Sequence, residues 1–220
     1  MRCLKFLWVL VGLLLLASCA QMPTPDYRAS APHELRYAAP LYRDHPLVGR
    51  FWSPVSEEFV GWEEVDRTLP AGGWLMLGEQ HDHPDHHLLE LFFLDYLGRT
   101  GRLGAVALEI PRDDLISAAA EQAVTAVPID LGEPARTKVR SSEREIAHFS
   151  EAHTNYLSQL IVDSHCGMFG LDQAKPFVDV QIARDQHMAI RLLELTEPAA
   201  VNLFIGGRAM YETIMGFRFG

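Results

Sequence analysis

The segment Gly78–Glu90, GEQHDHPDHHLLE, places four histidines and two aspartates between two glutamates, directly behind the apolar run Trp74–Leu77. Carboxylates and neutral imidazoles are the side chains that ligate metals and move protons near neutral pH. Glu79 and His81 fall where a strand would end, and Asp82 or His83 can cap a helix whose first turn holds Pro84. His83 stands three and four residues before His86 and His87, so these rings share one face of that turn. The positive end of the helix dipole disfavours imidazolium there and keeps the rings neutral, the form that binds metal. Within the cluster, His83 reads as a solvated first-turn residue and Asp85 as a complement to the dipole. His81 and one of the pair His86 and His87 read as functional, because they stand beside a strand-end glutamate.

Two further carboxylates belong to the same pattern. Glu109 lies in VALEIP and Asp172 follows GMFGL. In parallel α/β sheets ligands bind beyond the carboxyl ends of the strands. If the first two strands are neighbours, about 4.8 Å apart, Glu79, Glu109 and His81 share one edge and make a hard-metal site or an acid/base pair. A carboxylate in an apolar strand is costly unless paired, so Glu109 is either functional or salt-bridged to an arginine such as Arg112 or Arg208.

The elements that must position these groups follow from the hydrophobic pattern. Short apolar runs at Trp74–Leu77, Ala105–Ile110, Met168–Leu171 and Ala200–Ile205 read as strands. Between them, helices are expected from Pro84 to about Gly98, from Arg112 to Ala126, from Ser142 to Val162 and from Pro176 to Leu195, with a polar lid or excursion over Gly132–Arg140. Gly206-Gly207 would turn the last strand. The expected fold is α/β, a mainly parallel sheet flanked by helices on both faces in a three-layer sandwich. At 220 residues, 48% of them hydrophobic, the chain can bury one sizeable core, assigned to residues 47–220.

The N-terminus is set apart from that core. Arg2 and Lys5 precede an apolar run, Phe6–Leu16, of only about 11 residues, against the roughly 20 that span a bilayer. Residues 1–18 therefore read as a signal peptide. Leu16-Ala17-Ser18-Cys19 looks like a bacterial lipobox, with Cys19 carrying acyl chains such as palmitate, and two or three chains anchor durably. Residues 19–46, with five prolines, read as a tether and lead-in segment. Ala20 after Cys19 favours the outer membrane, facing the periplasm. Cys166 is left without an intramolecular partner and is expected as a buried, inert thiol. The formal charge of −10 falls to about −12 once the signal peptide is removed, which excludes nucleic acid and anionic lipid as partners and leaves attachment to the acyl anchor.

No H-E-x-x-H, G-x-S-x-G, paired C-x-x-C or P-loop occurs. The residues GEQHDHPDHH, followed by VALEI and then by RDQHMAIRLLEL, resemble the ChaN-like family of haem-binding, iron-regulated bacterial lipoproteins, over about Trp52 to Gly207. The wider superfamily includes erythromycin esterases and TIKI-type metalloproteases. The resemblance implies haem held near the motif edge and a homodimer with haem sites close to its interface, and it carries over Glu79, His81, Asp82, His86, His87 and Glu109 as motif residues. Histidine and tyrosine both serve as axial haem ligands, and Tyr211, near the last strand end, is a candidate. The family pattern A-G-x-G-H is IGGRAM here, so Arg208 or Ala209 stands where a histidine is expected. Arg208 could pair with a haem propionate or with Glu109.

The leading expectation is a lipid-anchored, haem-binding protein of the bacterial envelope, serving haem and iron uptake with an outer-membrane haem receptor as a candidate partner. The alternative is a metal-dependent hydrolase in which Glu79, His81 and Glu109 hold a divalent ion and activate water. A third is a scaffold that keeps the fold without chemistry.

Overall fold

A computed structural model describes residues 26–141 and 150–207 of the chain. A small antiparallel hairpin, β1 (Phe51–Ser53) and β2 (Glu58–Val60), precedes helix α1 (Trp62–Thr68). The rest alternates strand and helix: β3 (Trp74–Glu79), α2 (Pro84–Arg99), β4 (Leu103–Leu108), α3 (Asp113–Glu121), β5 (Ala126–Pro128) and α4 (Glu133–Arg140). Then come α5 (Glu151–Ser164), a 3₁₀ turn (Leu171–Gln173), α6 (Lys175–Leu195) and β6 (Val201–Gly207). Strands β3 to β6 form one parallel sheet in the order β3-β6-β4-β5.

The sheet is covered on both faces, as the alternation of its side chains requires. Val106, Leu108, Leu203 and Ile205 point to one side and pack on Leu91 and Leu94 of α2 and Leu115 and Ala119 of α3. Ala107 and Phe204 point to the other side and meet Met188 and Leu192 of α6. The three-layer α/β sandwich expected from the sequence is therefore the observed architecture. Among the described residues no helix is long and apolar enough to cross a membrane.

The strand that arrives last in sequence sits centrally. In β6 only Gly207 escapes full burial. Its one polar side chain, Asn202, is completely buried and fully used. Its amide donates to Gly73 O and Glu197 O and accepts from Ala105 N and Glu197 N, all at 2.9–3.1 Å. The bond from Ala105 N satisfies the backbone where the β4–β6 register slips between Leu103 and Val106.

Several expectations are corrected. Because β6 lies between β3 and β4, the first two strands are not neighbours. The run Met168–Leu171 is not a strand. Cys166 and Gly167 adopt left-handed backbone at φ 54° and 69°, Gly167 N returns to Val162 O to close α5, and Phe169 packs on Leu157 and Val178 rather than joining the sheet. Asp172 accordingly sits in an exposed 3₁₀ turn and not at a strand end. Cys166 is exposed, not buried, because that left-handed turn holds it outside the helix packing. The fourth strand is β5, short and ending in Pro128, which an edge position tolerates. Helix α3 stops at Glu121 because Ala123 turns left-handed at φ 58° and Val124 N bonds Ala119 O. The Gly132–Arg140 segment is a helix rather than an excursion, with Val139 buried beside Leu131 and Ala183. Gly206 and Gly207 are the last residues of β6, not a turn. The proposed third helix starts at Glu151 in the described residues, and residues 142–149 lie outside them.

Candidate functional site

The carboxyl ends of the four strands converge on one polar row. Glu79 ends β3, Gly207 ends β6, Glu109 follows β4 and Asp130 follows β5. Glu109 accepts from Gly207 N at 2.6 Å and from Arg184 Nη2 at 2.6 Å, and Arg184 continues to Asp130 at 2.9 and 3.0 Å. The partner of Glu109 is thus Arg184 of α6 and not Arg112. Glycine at 207 lets the two sides approach: a Cβ there would lie 3.2 Å from His81 Nε2 and 3.4 Å from Glu109 Oε2. Gly207→Ala is expected to displace the His81 ring with little loss of fold, detectable as a shifted His81 resonance beside an unchanged far-UV circular dichroism spectrum. An unmoved His81 signal would show that the ring does not lie against β6.

The four histidines separate by what their nitrogens do. His83 is the N-cap of α2, accepting from Asp85 N at 3.3 Å, and stacks on His86 with ring centroids 4.2 Å apart. His86 Nδ1 accepts from Gln80 N at 2.9 Å, which puts the proton of its neutral ring on Nε2 and leaves no free lone pair. Burial, with His83 alongside, lowers the pKa of His86 and keeps that ring neutral. His87 Nε2 lies 3.0 Å from His81 O and donates to that carbonyl. His81 differs: its Nδ1 is 2.7 Å from Glu79 Oε1, so the proton sits on Nδ1, and Nε2, which lies beside Gly207 at the end of β6, carries the lone pair of the neutral ring. A carboxylate that orients a histidine in this way is the usual support for an imidazole that ligates a metal. Asp82 is exposed. Asp85 accepts from Ala38 N and Ala39 N, at 2.5 and 3.2 Å, tying the lead-in segment to the start of α2.

Behind Glu79 lies a residue that the motif reading passed over. Glu90, on the buried face of α2, is 1% exposed and receives Arg112 Nη1 at 2.5 Å. Glu79 Oε2 and Glu90 Oε1 are both buried without a hydrogen-bond partner, although His87 Nε2 and Arg112 Nη1 lie 3.5 and 3.7 Å from Glu79 Oε2, and a proton on Glu90 supplies a donor to Glu79. Desolvation, reinforced by the adjacent Glu79, pushes Glu90 from 4.5 up to about 8. Desolvation works against ionised Glu79 too, but hydrogen bonds from His81 and Glu90 and the charge of Arg112 hold it below its ordinary value. Between pH 4.5 and about 8 the unfolded chain therefore binds fewer protons at position 90 than the fold does, so this residue makes stability fall as pH rises through that window. Glu90→Gln is expected to flatten the decline, measured by urea unfolding across the same range. An unchanged slope would show that Glu90 is ionised in the fold.

In front of His81 opens a cavity of about 610 Å³. Glu79, His81, His86 and Gly207 form its sheet-side wall, and Leu157, Leu160, Ile161, Phe177 and Val180 of α5 and α6 form an apolar wall. Arg140 and Arg184 line it as cations. Arg184 is committed to Glu109, Asp130 and Gln181, whereas Arg140 has, among the described residues, one exposed ion pair, to Glu133 at 2.6 Å, of a kind that exchanges readily with an incoming anion. Among the described candidates, Glu79, His81 and His86 line the cavity. Asp82, His87 and Glu109 do not. Glu109 and His87 instead brace the wall from behind. Arg208, Tyr211 and Cys19 lie outside the described residues.

Sequence reasoning missed Glu90, Asp130, Arg140, His165 and Arg184. Glu90 carried a signal, a carboxylate inside the apolar stripe of α2. Asp130, Arg140 and His165 gave none, since each is polar in a helix or loop and becomes part of the site only through packing, whereas Arg184 opens the run RDQHMAIRLLEL on which the family resemblance partly rests. Among the described residues no three histidine, cysteine, aspartate or glutamate side chains are grouped to hold a metal ion. The hydrolase reading, which needs Glu79, His81 and Glu109 around one ion, gains no support, because β6 separates the glutamates and Arg184 occupies Glu109.

No protein-family model matches the chain, and a search of curated proteins returns no match. Among solved structures, one of cofacial haem binding to ChaN of Campylobacter jejuni superposes with a TM-score of 0.56 at 16% identity, covering 76% of this chain and 86% of that one. The likeness is one of fold, and on that ground the scaffold of this chain is ChaN-like.

Proposed function

We propose that this chain binds haem in the cavity in front of His81. The observation that carries the reading is His81 itself: Nδ1 is occupied by Glu79, and Nε2 is left with a lone pair at the wall of a largely apolar cavity. Imidazole is a common axial ligand of haem iron, and an apolar crevice with few polar anchors suits a flat hydrophobic cofactor. Leu157, Ile161, Phe177 and Val180 would contact the macrocycle, and Arg140 would pair with a propionate. When bound, the iron would supply ligand exchange and redox capacity, while the chain's own part is to ligate, orient and exclude water. The fold shared with ChaN, whose structure shows cofacial haem binding, supports the same reading.

The biological role follows from the sequence features at the N-terminus. A lipid anchor at Cys19 would hold the protein at the bacterial outer membrane, facing the periplasm, where it would take or store haem during iron acquisition, with an outer-membrane haem receptor and a second copy of the chain as candidate partners. Titration of the protein with ferric haem, followed at the Soret band, tests the binding. A saturable shift at micromolar protein is the expected result, and its absence overturns the reading. Metabolic labelling with a palmitate analogue, lost in Cys19→Ala, tests the anchor.

A further inference from the structure

The β1–β2 hairpin carries an exposed aromatic face. Phe51 is half-buried and stacks on Trp62 of α1 with centroids 5.9 Å apart. Alternation then turns the next cross-strand pair, Trp52 and Phe59, to the other side. The two rings meet edge to face at 5.1 Å, yet they are 54% and 49% exposed, and Val55 in the turn between the strands is 95% exposed. Leu41, Tyr42 and Leu47, shortly before the hairpin, are exposed as well. A cluster of large apolar side chains in water marks an interaction surface. The start of the described chain lies at the same end of the fold. Arg28 reaches Asp95 at 3.9 Å and Arg99 Nη2 donates to Ala29 O at 2.8 Å, both near the C-terminus of α2. Trp62, on which the hairpin stacks, packs on Phe92, Phe93 and Tyr96 in the same half of that helix. His86, at the cavity, belongs to the opposite end of α2, about 20 Å from Arg99 at 1.5 Å per residue.

We propose that the hairpin is a lipid-contacting surface: Trp52, Val55 and Phe59 rest in the interface of the membrane that holds the Cys19 anchor, among zwitterionic headgroups. The inference rests on the anchored reading given under the proposed function and goes beyond it, since an anchor by itself leaves the orientation of the domain open. The length of the leash argues for lipid as the occupant. Asp26 is seven residues after Cys19, and a chain of that length spans at most about 25 Å when fully extended. From Tyr27 onward the chain is already docked: Tyr27 and Ala29 pack on the cluster around Leu35 and Phe92, the same cluster that receives Phe51 of the hairpin. The hairpin is thereby kept close to the bilayer. Aromatic rings, tryptophan above all, favour the headgroup level, and the negative charge of the chain turns away anionic lipid without opposing an apolar contact of this kind. The cavity, at the other end of α2, then faces away from the membrane and stays open to incoming haem.

The test is bromine quenching of tryptophan emission in the lipidated full chain, reconstituted in phosphatidylcholine vesicles whose acyl chains are brominated near the headgroup end. Trp62 and Trp74 are half-buried, whereas Trp52 is exposed and reports the contact. Flotation with the vesicles reports the anchor separately. The wild type is expected to float, with emission shifted to the blue and quenched. Trp52→Phe and Val55→Glu should both float and keep the far-UV circular dichroism spectrum, but lose the quenching. A floating wild type whose emission bromine leaves unchanged overturns the hairpin contact and leaves the anchor intact. So does quenching that persists unaltered in Trp52→Phe. Self-association that Val55→Glu abolishes, without quenching in the wild type, gives the face to a second copy and overturns the inference as well. A wild type that does not float removes the anchored reading, and the inference with it.

Discussion

Replacing His81 with alanine is expected to weaken haem binding by about 100-fold or more, roughly 2.8 kcal/mol. The size follows from the nitrogen bookkeeping. Among the described residues on the sheet side of the cavity, His81 alone combines a carboxylate-fixed ring with a nitrogen that is not hydrogen-bonded. His86 and His87 turn a nitrogen to the backbone, at Gln80 N and His81 O, and their removal loosens the loop without deleting a ligand. Their alanine variants should therefore lose about tenfold, the low end of outer-shell changes. Glu79→Gln should fall between, at about 10- to 100-fold, since it removes the charge that orients the His81 ring. Dissociation constants from transfer of haem to apomyoglobin give the comparison. Equal affinity in wild type and His81→Ala would dismiss His81 as the ligand and turn attention to Tyr211, for which Tyr211→Phe is the parallel variant.

The second large effect concerns stability. Arg184→Met is expected to cost about 3–5 kcal/mol, the usual penalty for leaving a buried charge without its partner. Glu109 has a side chain only 5% exposed, and among the described residues it keeps, without Arg184, one hydrogen bond, from Gly207 N. Asp130 is less affected because Arg136 also pairs with it. The double variant Arg184→Met with Glu109→Gln should recover part of the loss, since the buried charge is then gone too, and the difference from additivity measures their coupling. Urea unfolding midpoints read both quantities. A loss below about 1 kcal/mol for Arg184→Met would mean that Glu109 is solvated or protonated, and that the row across the strand ends is not held by charge.

These expectations differ in how far they could be read in advance. The helix Pro84–Arg99 was legible to within a residue or two because its start is local chemistry: His83 caps, Pro84 fits the first turn, and Leu88, Leu91 and Leu94 repeat at helical spacing. The long helix Lys175–Leu195 was legible for the same reason. The run Met168–Leu171 misled, because four apolar residues in a row do not say whether they pair with a strand or pack on a helix. The left-handed residues before them decided the matter, and that conformation is set by how α5 closes on itself.

By itself the sequence determined the type of fold, the limits of the helices Pro84–Arg99 and Lys175–Leu195, and the placing of His81 beside Glu79 at a strand end. These are properties of neighbours along the chain, where spacing and capping act over a few residues. Only the tertiary structure decided which strand lies between which, and so which charges meet. Glu109 was visible as a costly carboxylate in an apolar run, but its partner comes from a residue 75 positions later, brought close because α6 packs on the face of the sheet. His165 and Arg140 had no local signature, for a side chain on a helix end becomes part of a binding site only when another element supplies the opposite wall.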